Sequence, residues 1–203
     1  GAPLVICFHG YRSTSLRDFS GISLTYFKHD INVLIVDQRA HGKSQGHTIT
    51  FGIKERYDCL DWINYANDRF GKGTKIVLCG ISMGASTVLM SLSLNLPSNV
   101  VAVMVDCPYS TPKDIIKKVC GDLKVSAKIV YPLIYLSALI FGRFKLDEVT
   151  AIDAVKDAKI PIIIVHGDDD RLVPVEMSRL IKQSNTKYVE LHEFEKGEIF
   201  ACL

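Results

Sequence analysis

The chain has 203 residues, 48% hydrophobic and 23% charged, and its 24 Lys and Arg against 22 Asp and Glu give a net charge of +2. That composition excludes disorder and supports one folded domain with a real core. With no basic run of five or more residues, nothing points to nucleic acid as a partner.

From the N-terminus, short β-branched runs predict strands at residues 4–8, 33–36, 76–79, 100–105 and 160–165, and a weaker alternating run follows at 188–194. The first five are apolar throughout, as suits strands covered on both faces. Helical periods lie between them. Ile53, Tyr57, Leu60 and Ile63 share one face, as do Ala85, Val88, Leu89 and Leu92, and Met177, Leu180 and Ile181 make a shorter stripe after Pro174. This alternation predicts an α/β fold with a mostly parallel, doubly wound sheet and helices on both faces.

One segment, 110–159, breaks the rhythm. It holds Pro112, Pro132, a helix-like 114–118 and an apolar 129–141, and it reads as a helical cap inserted into a single domain spanning 1–203. The 14 uncharged residues between Lys128 and Arg143 fall short of the roughly 20 that span a bilayer. The absence of a signal pattern at the start makes a cytoplasmic location the expectation. The six cysteines, Cys7, Cys59, Cys79, Cys107, Cys120 and Cys202, form no C-x-x-C pair. Cys7 and Cys79 sit in apolar runs as small core residues, and no disulfide framework is expected in a chain of this size.

The strongest chemical signal is Gly80-Ile81-Ser82-Met83-Gly84, a G-x-S-x-G between a strand and a helix. Such a turn lifts a serine out of the sheet, and glycines two positions either side remove side chains that would collide with strand and helix. His9-Gly10-Tyr11 follows the first strand. The backbone N–H of Tyr11, with that of Met83, would give the paired donors that acyl transfer needs, while His9 itself reads as a packed, hydrogen-bonded residue. Gly42-Lys43-Ser44 tempts a phosphate-loop reading, but the required earlier glycine is Asp37; a turn tied by Asp37 and Arg39 is expected instead. After the fifth strand comes His166-Gly167-Asp168-Asp169-Asp170-Arg171-Leu172-Val173-Pro174. A triad acid belongs in such a loop, and the three aspartates lack the spacing of a calcium loop.

At Asp170 a resemblance emerges. His-Gly-Asp-Asp-Asp-Arg-Leu-Val-Pro is similar to the acid loop of α/β-hydrolase-fold serine hydrolases, which carries the triad aspartate onto Asp170. Gly-Ile-Ser-Met-Gly-Ala resembles the nucleophile elbow of the same superfamily. The segment from Asp37 through Gly46, with Thr50-Phe51-Gly52, is similar to a bacterial esterase- and peptidase-like subgroup. The resemblance implies a serine hydrolase acting on an ester, thioester or amide through an acyl-enzyme, with a small-molecule acyl substrate and no cofactor or metal. Ser82 would be nucleophile, Asp170 would orient the base, and Tyr11 and Met83 would hold the oxyanion. It also implies a chain truncated at both ends, since it opens almost directly on a strand and stops three residues after Phe200. Neither the acyl group nor the oligomeric state is indicated.

The departure is the histidine. Only His192 lies beyond Asp170, and it falls within the last strand; Glu198 occupies the place after that strand where the family carries its base. Either the register differs and His192 is the base, or the base is absent and the chain is an impaired or non-catalytic binding protein on the same scaffold.

Overall fold

The computed structural model describes residues 2–195. In chain order the elements are β1 (Leu4–Phe8), α1 (Ser15–Lys28), β2 (Asn32–Val36), α2 (Glu55–Phe70), β3 (Ile76–Ile81), α3 (Met83–Ser91), β4 (Val100–Asp106), α4 (Pro112–Asp122), α5 (Ala127–Ser137) with a π-helical continuation (Ala138–Gly142), α6 (Ala151–Lys156), β5 (Ile162–Gly167), α7 (Glu176–Ser184) and β6 (Val189–Phe194). All six expected strands form, and they pair in parallel in the order β2-β1-β3-β4-β5-β6.

The apolar runs are explained by the two faces of the sheet. In β1, Leu4, Ile6 and Phe8 join the core under α2, α3 and α6, while Val5 and Cys7 join a second cluster with Phe19 of α1. A two-residue period places alternate side chains in different cores, so every residue of β1 is buried. Cys7 and Cys79 are register partners in that second cluster, and both are free thiols. The hydrogen-bonded Cys79 and then burial push the Cys7 pKa up, consistent with a packing role.

Within the 110–159 segment expected as a cap, the helices pack in two places. The short α6 packs Ala151 and Val155 into the main core with α3 and serves as the crossover helix between the two strands. The departure from the alternating pattern is therefore confined to α4, α5, the π-helical turn and the residues up to 149. Thr111 caps α4 and Thr150 caps α6, each hydroxyl accepting an N–H three residues on at 3.0 Å. The insertion is fastened to α2: Arg56 Nη2 meets Glu148 Oε1 at 2.6 Å, and Lys54 Nζ donates to the Gly142 carbonyl at 2.8 Å. Among the described residues no helix is long and apolar enough to cross a membrane.

Candidate active site

β3 passes through Ser82 directly into α3, with φ 52° and ψ −112° at the serine. A positive φ at a non-glycine residue is strained and persists only where its surroundings over-determine it. Here they do. A Cβ on Gly80 would lie 2.5 Å from the Gly84 carbonyl oxygen, and one on Gly84 would lie 2.0 Å from that of Phe8. β1, β3 and α3 therefore approach backbone to backbone. The Ser82 N–H donates to the Asp106 carbonyl at 2.9 Å. Met83 opens α3, so its N–H has no acceptor within the helix.

The loop after β1 is fixed beside this turn. His9 is fully buried; its Nε2 accepts the Gln38 N–H at 3.0 Å, which leaves Nδ1–H to donate to the Gly10 carbonyl at 2.7 Å. Burial lowers its pKa and keeps the ring neutral. His41 packs edge-on against it at 4.8 Å and accepts the Arg12 N–H at 3.1 Å. A Cβ on Gly10 would sit 3.6 Å from Ser82 Cβ, so Tyr11 follows within one residue of the serine. The Tyr11 ring stacks on Phe51 with centroids 6.0 Å apart.

Phe51 is held by a device the sequence did not disclose. The buried Glu55 carboxylate accepts N–H bonds from Thr50 at 2.7 Å and Gly52 at 2.9 Å, and a hydroxyl bond from Thr50 at 2.5 Å. The 37–44 segment is the expected turn. Asp37 accepts the N–H groups of Ser15 and Lys43 at 3.0 Å each, and its carboxylate fills the space where a side chain at Gly42 would go. Arg39 forms a bidentate pair with Asp58.

In the loop after β5, Asp170 is buried. Its Oδ1 accepts the N–H groups of Leu172 and Val173 at 2.8 and 2.9 Å, while its Oδ2 is buried without a hydrogen bond. His166 fastens this loop: Nε2–H donates to the Val173 carbonyl at 2.8 Å, Nδ1 accepts from Ser178 at 2.7 Å, and Asp170 Oδ2 lies 3.7 Å away. Asp168, Asp169 and Asp170 do not converge; among the described residues no group of three or more His, Cys, Asp or Glu side chains is placed to hold a metal ion.

Sequence reasoning missed two residues. Asp106, at the end of β4, has a buried Oδ2 with no partner, like Asp170. Burial, reinforced by the charge of Asp170, raises its pKa from the ordinary carboxylate value to about 7. Orphaned buried polar atoms are rare, and two on neighbouring carboxylates mark a place suited to a hydrogen-bond donor. The other is Tyr109, whose buried hydroxyl also lacks a partner and which lines a cavity of about 270 Å³ with Ser82, Met83, Ile115, Ile134 and Val173. Tyr11 and Phe51 line it too.

The structure does not bring His192 to this cavity. His192 is in register with Val165, two residues before the end of β5, so it lies along the strand rather than at its tip. Its neighbours Val189 and Leu191 face the main core, and the two-residue period turns His192 to the other face. There its Nε2 pairs with Glu190 at 3.0 Å and the side chain is 47% exposed. Among the described residues no histidine lines the Ser82 cavity. Glu198 and Cys202 lie outside the described residues.

A parallel sheet of this order, a strained serine between strand and helix, and an acidic loop after the next-to-last strand define an α/β hydrolase. The chain belongs to the Hydrolase_4 family, described as serine aminopeptidase, S33, whose model matches residues 2–139. The Pyrococcus furiosus esterase Pf2001 superposes with a TM-score of 0.74 at 27% identity, over 98% of this chain and 76% of that one. A Paleococcus ferrophilus monoacylglycerol lipase shares the fold with a TM-score of 0.67 at 20% identity, over 98% and 88%. In sequence the chain is 23% identical to Bacillus subtilis YqkD and 24% identical to Schizosaccharomyces pombe bem46, over 96% of its own length in both cases. It spans 64% and 60% of those two proteins, about three fifths of the curated relatives it matches.

Proposed function

We propose that the chain carries the acyl-transfer site of a serine esterase. Ser82 Oγ attacks the carbonyl carbon of a bound ester, and the hydroxyl proton passes to a base as the C–O bond forms. The N–H groups of Tyr11 and Met83 donate to the oxygen that becomes negative. The alcohol leaves with the proton from the base, and water then releases the acyl group from Ser82 by the reverse proton route. The unpartnered oxygens of Asp170 and Asp106 are the acceptors for the N–H of an imidazole base, with Asp170 as its orienting acid. The ester neighbours and the hydrolase family support ester substrates, and the apolar cavity supports an uncharged acyl chain.

The single observation that carries this reading is the positive φ of Ser82, held by two glycine contacts that tolerate no side chain. The rival, a binding protein on the same scaffold, draws on the pairing of His192 with Glu190 away from the cavity. Turnover of p-nitrophenyl butyrate, with and without added imidazole, separates them. With the rate of imidazole and ester alone subtracted, the esterase reading expects imidazole to raise turnover by at least about tenfold, with the gain lost in Ser82→Ala, because a supplied base replaces general-base catalysis worth roughly a hundredfold or more. Turnover that neither imidazole nor Ser82→Ala changes would favour the binding protein.

A further inference from the structure

The insertion presents an apolar surface that packing leaves uncovered. No residue of α5 is fully buried. Ile129, Leu133, Leu136 and Ile140 recur at helical spacing, and each is more than half exposed, as is Phe141 at 82%. The inner stripe of the same helix, Val130 and Ile134, lines the Ser82 cavity and also a second apolar groove of about 420 Å³ that includes Leu133 and Phe141. Outer stripe, groove and cavity are thus one continuous apolar surface around α5. Monomeric proteins rarely expose so large a patch without a use for it.

Charge narrows what covers it. From Lys113 to Lys145 the chain holds seven basic and two acidic residues, a net +5 in a chain whose total is +2. Lys117, Lys124, Lys128, Arg143 and Lys145 are exposed and make no ion pair among the described residues. A second copy meeting this face by two-fold symmetry would set +5 against +5. An anionic lipid leaflet matches both features at once, apolar side chains entering the headgroup boundary and cations resting on the phosphates.

We propose that the α4–α5 face docks on anionic membrane surfaces, with α5 lying in the interfacial plane. The mouth of the Ser82 cavity would then open at lipid level, since Tyr11, Val119, Leu123, Val125 and Leu172 line the cavity and also reach the surface. Docking is independent of the esterase reading, because it is measured without turnover.

The test is co-sedimentation of the chain with vesicles of phosphatidylcholine alone or with about 30% phosphatidylglycerol, since each basic residue near an anionic leaflet strengthens partitioning by about fivefold. Binding is expected only to the anionic vesicles. Lys124→Glu/Lys128→Glu should weaken it at least tenfold, and Ile129→Asp/Leu136→Asp should abolish it. Both variants should keep the wild-type circular dichroism and thermal midpoint, because all four residues are exposed. The proposal is overturned if anionic vesicles bind no protein, if either folded variant binds as well as wild type, or if light scattering shows a dimer that Ile129→Asp/Leu136→Asp dissociates, which would assign the face to a second copy.

Discussion

The backbone N–H of Ser82 is bonded to the carbonyl oxygen of Asp106 at 2.9 Å, so the strained turn after β3 is joined to the end of β4 that carries the buried carboxylate. This bond ties the serine to the acidic end of the site through the main chain, without any side chain between them. The geometry of the serine therefore depends on backbone contacts that small substitutions can break.

The first expectation concerns Gly84. A methyl group there would fall 2.0 Å from the Phe8 carbonyl oxygen, a backbone atom inside the sheet that cannot swing away. Gly84→Ala should lower stability by about 3 kcal/mol, the upper end of ordinary overpacking costs. Urea denaturation followed by circular dichroism checks this. A midpoint equal to wild type would mean that α3 and β1 are not in backbone contact.

Asp106 makes stability depend on pH in a stated direction. Its pKa in the folded chain is about 7, raised by burial first and then by Asp170, against the ordinary value near 4 in the unfolded chain. The fold therefore binds a proton that the unfolded chain does not. That contribution is fully present below about pH 4 and is lost as the pH rises through about 7. Stability should fall between pH 5 and pH 8, and Asp106→Asn, which cannot ionise, should flatten the profile and gain on the order of 3 kcal/mol at pH 8. Denaturation midpoints at four pH values decide it; parallel profiles for the two proteins would show that Asp106 is ionised throughout.

Much of this arrangement could be read from the residues. Strands buried on both faces leave runs such as Leu4–Phe8 with no polar position, and the glycines flanking Ser82 are demanded by backbone atoms that a Cβ would meet at 2.0 and 2.5 Å. Other features leave no local trace. Asp106 ends an apolar strand with nothing local to mark it, and Asp170, whose charge acts on it, lies 64 positions on. Glu55 looks like an ordinary first-turn carboxylate until Thr50 and Gly52 fold onto it. The six-residue α6 is too short to show a helical period, so nothing in the sequence separates it from the segment before it. His192 was ambiguous for a different reason: a strand's face is set by register with its neighbour, and register with Val165 is not encoded locally.

His192 offers a direct check on that register. Its ring pairs with Glu190 on an exposed face of the edge strand β6. His192→Ala should leave both stability and any ester turnover within about twofold of wild type, as expected of a surface ion pair. A loss of turnover of a hundredfold or more at unchanged stability would place the imidazole at Ser82 and reverse this assignment.

The most direct test of the central claim is labelling with a fluorophosphonate, read by peptide mass spectrometry in the presence and absence of imidazole. A single adduct is expected on the peptide containing Ser82, formed faster with imidazole and absent from Ser82→Ala. An adduct on another residue, or no adduct at any imidazole concentration in a chain with wild-type stability, would contradict a nucleophilic Ser82.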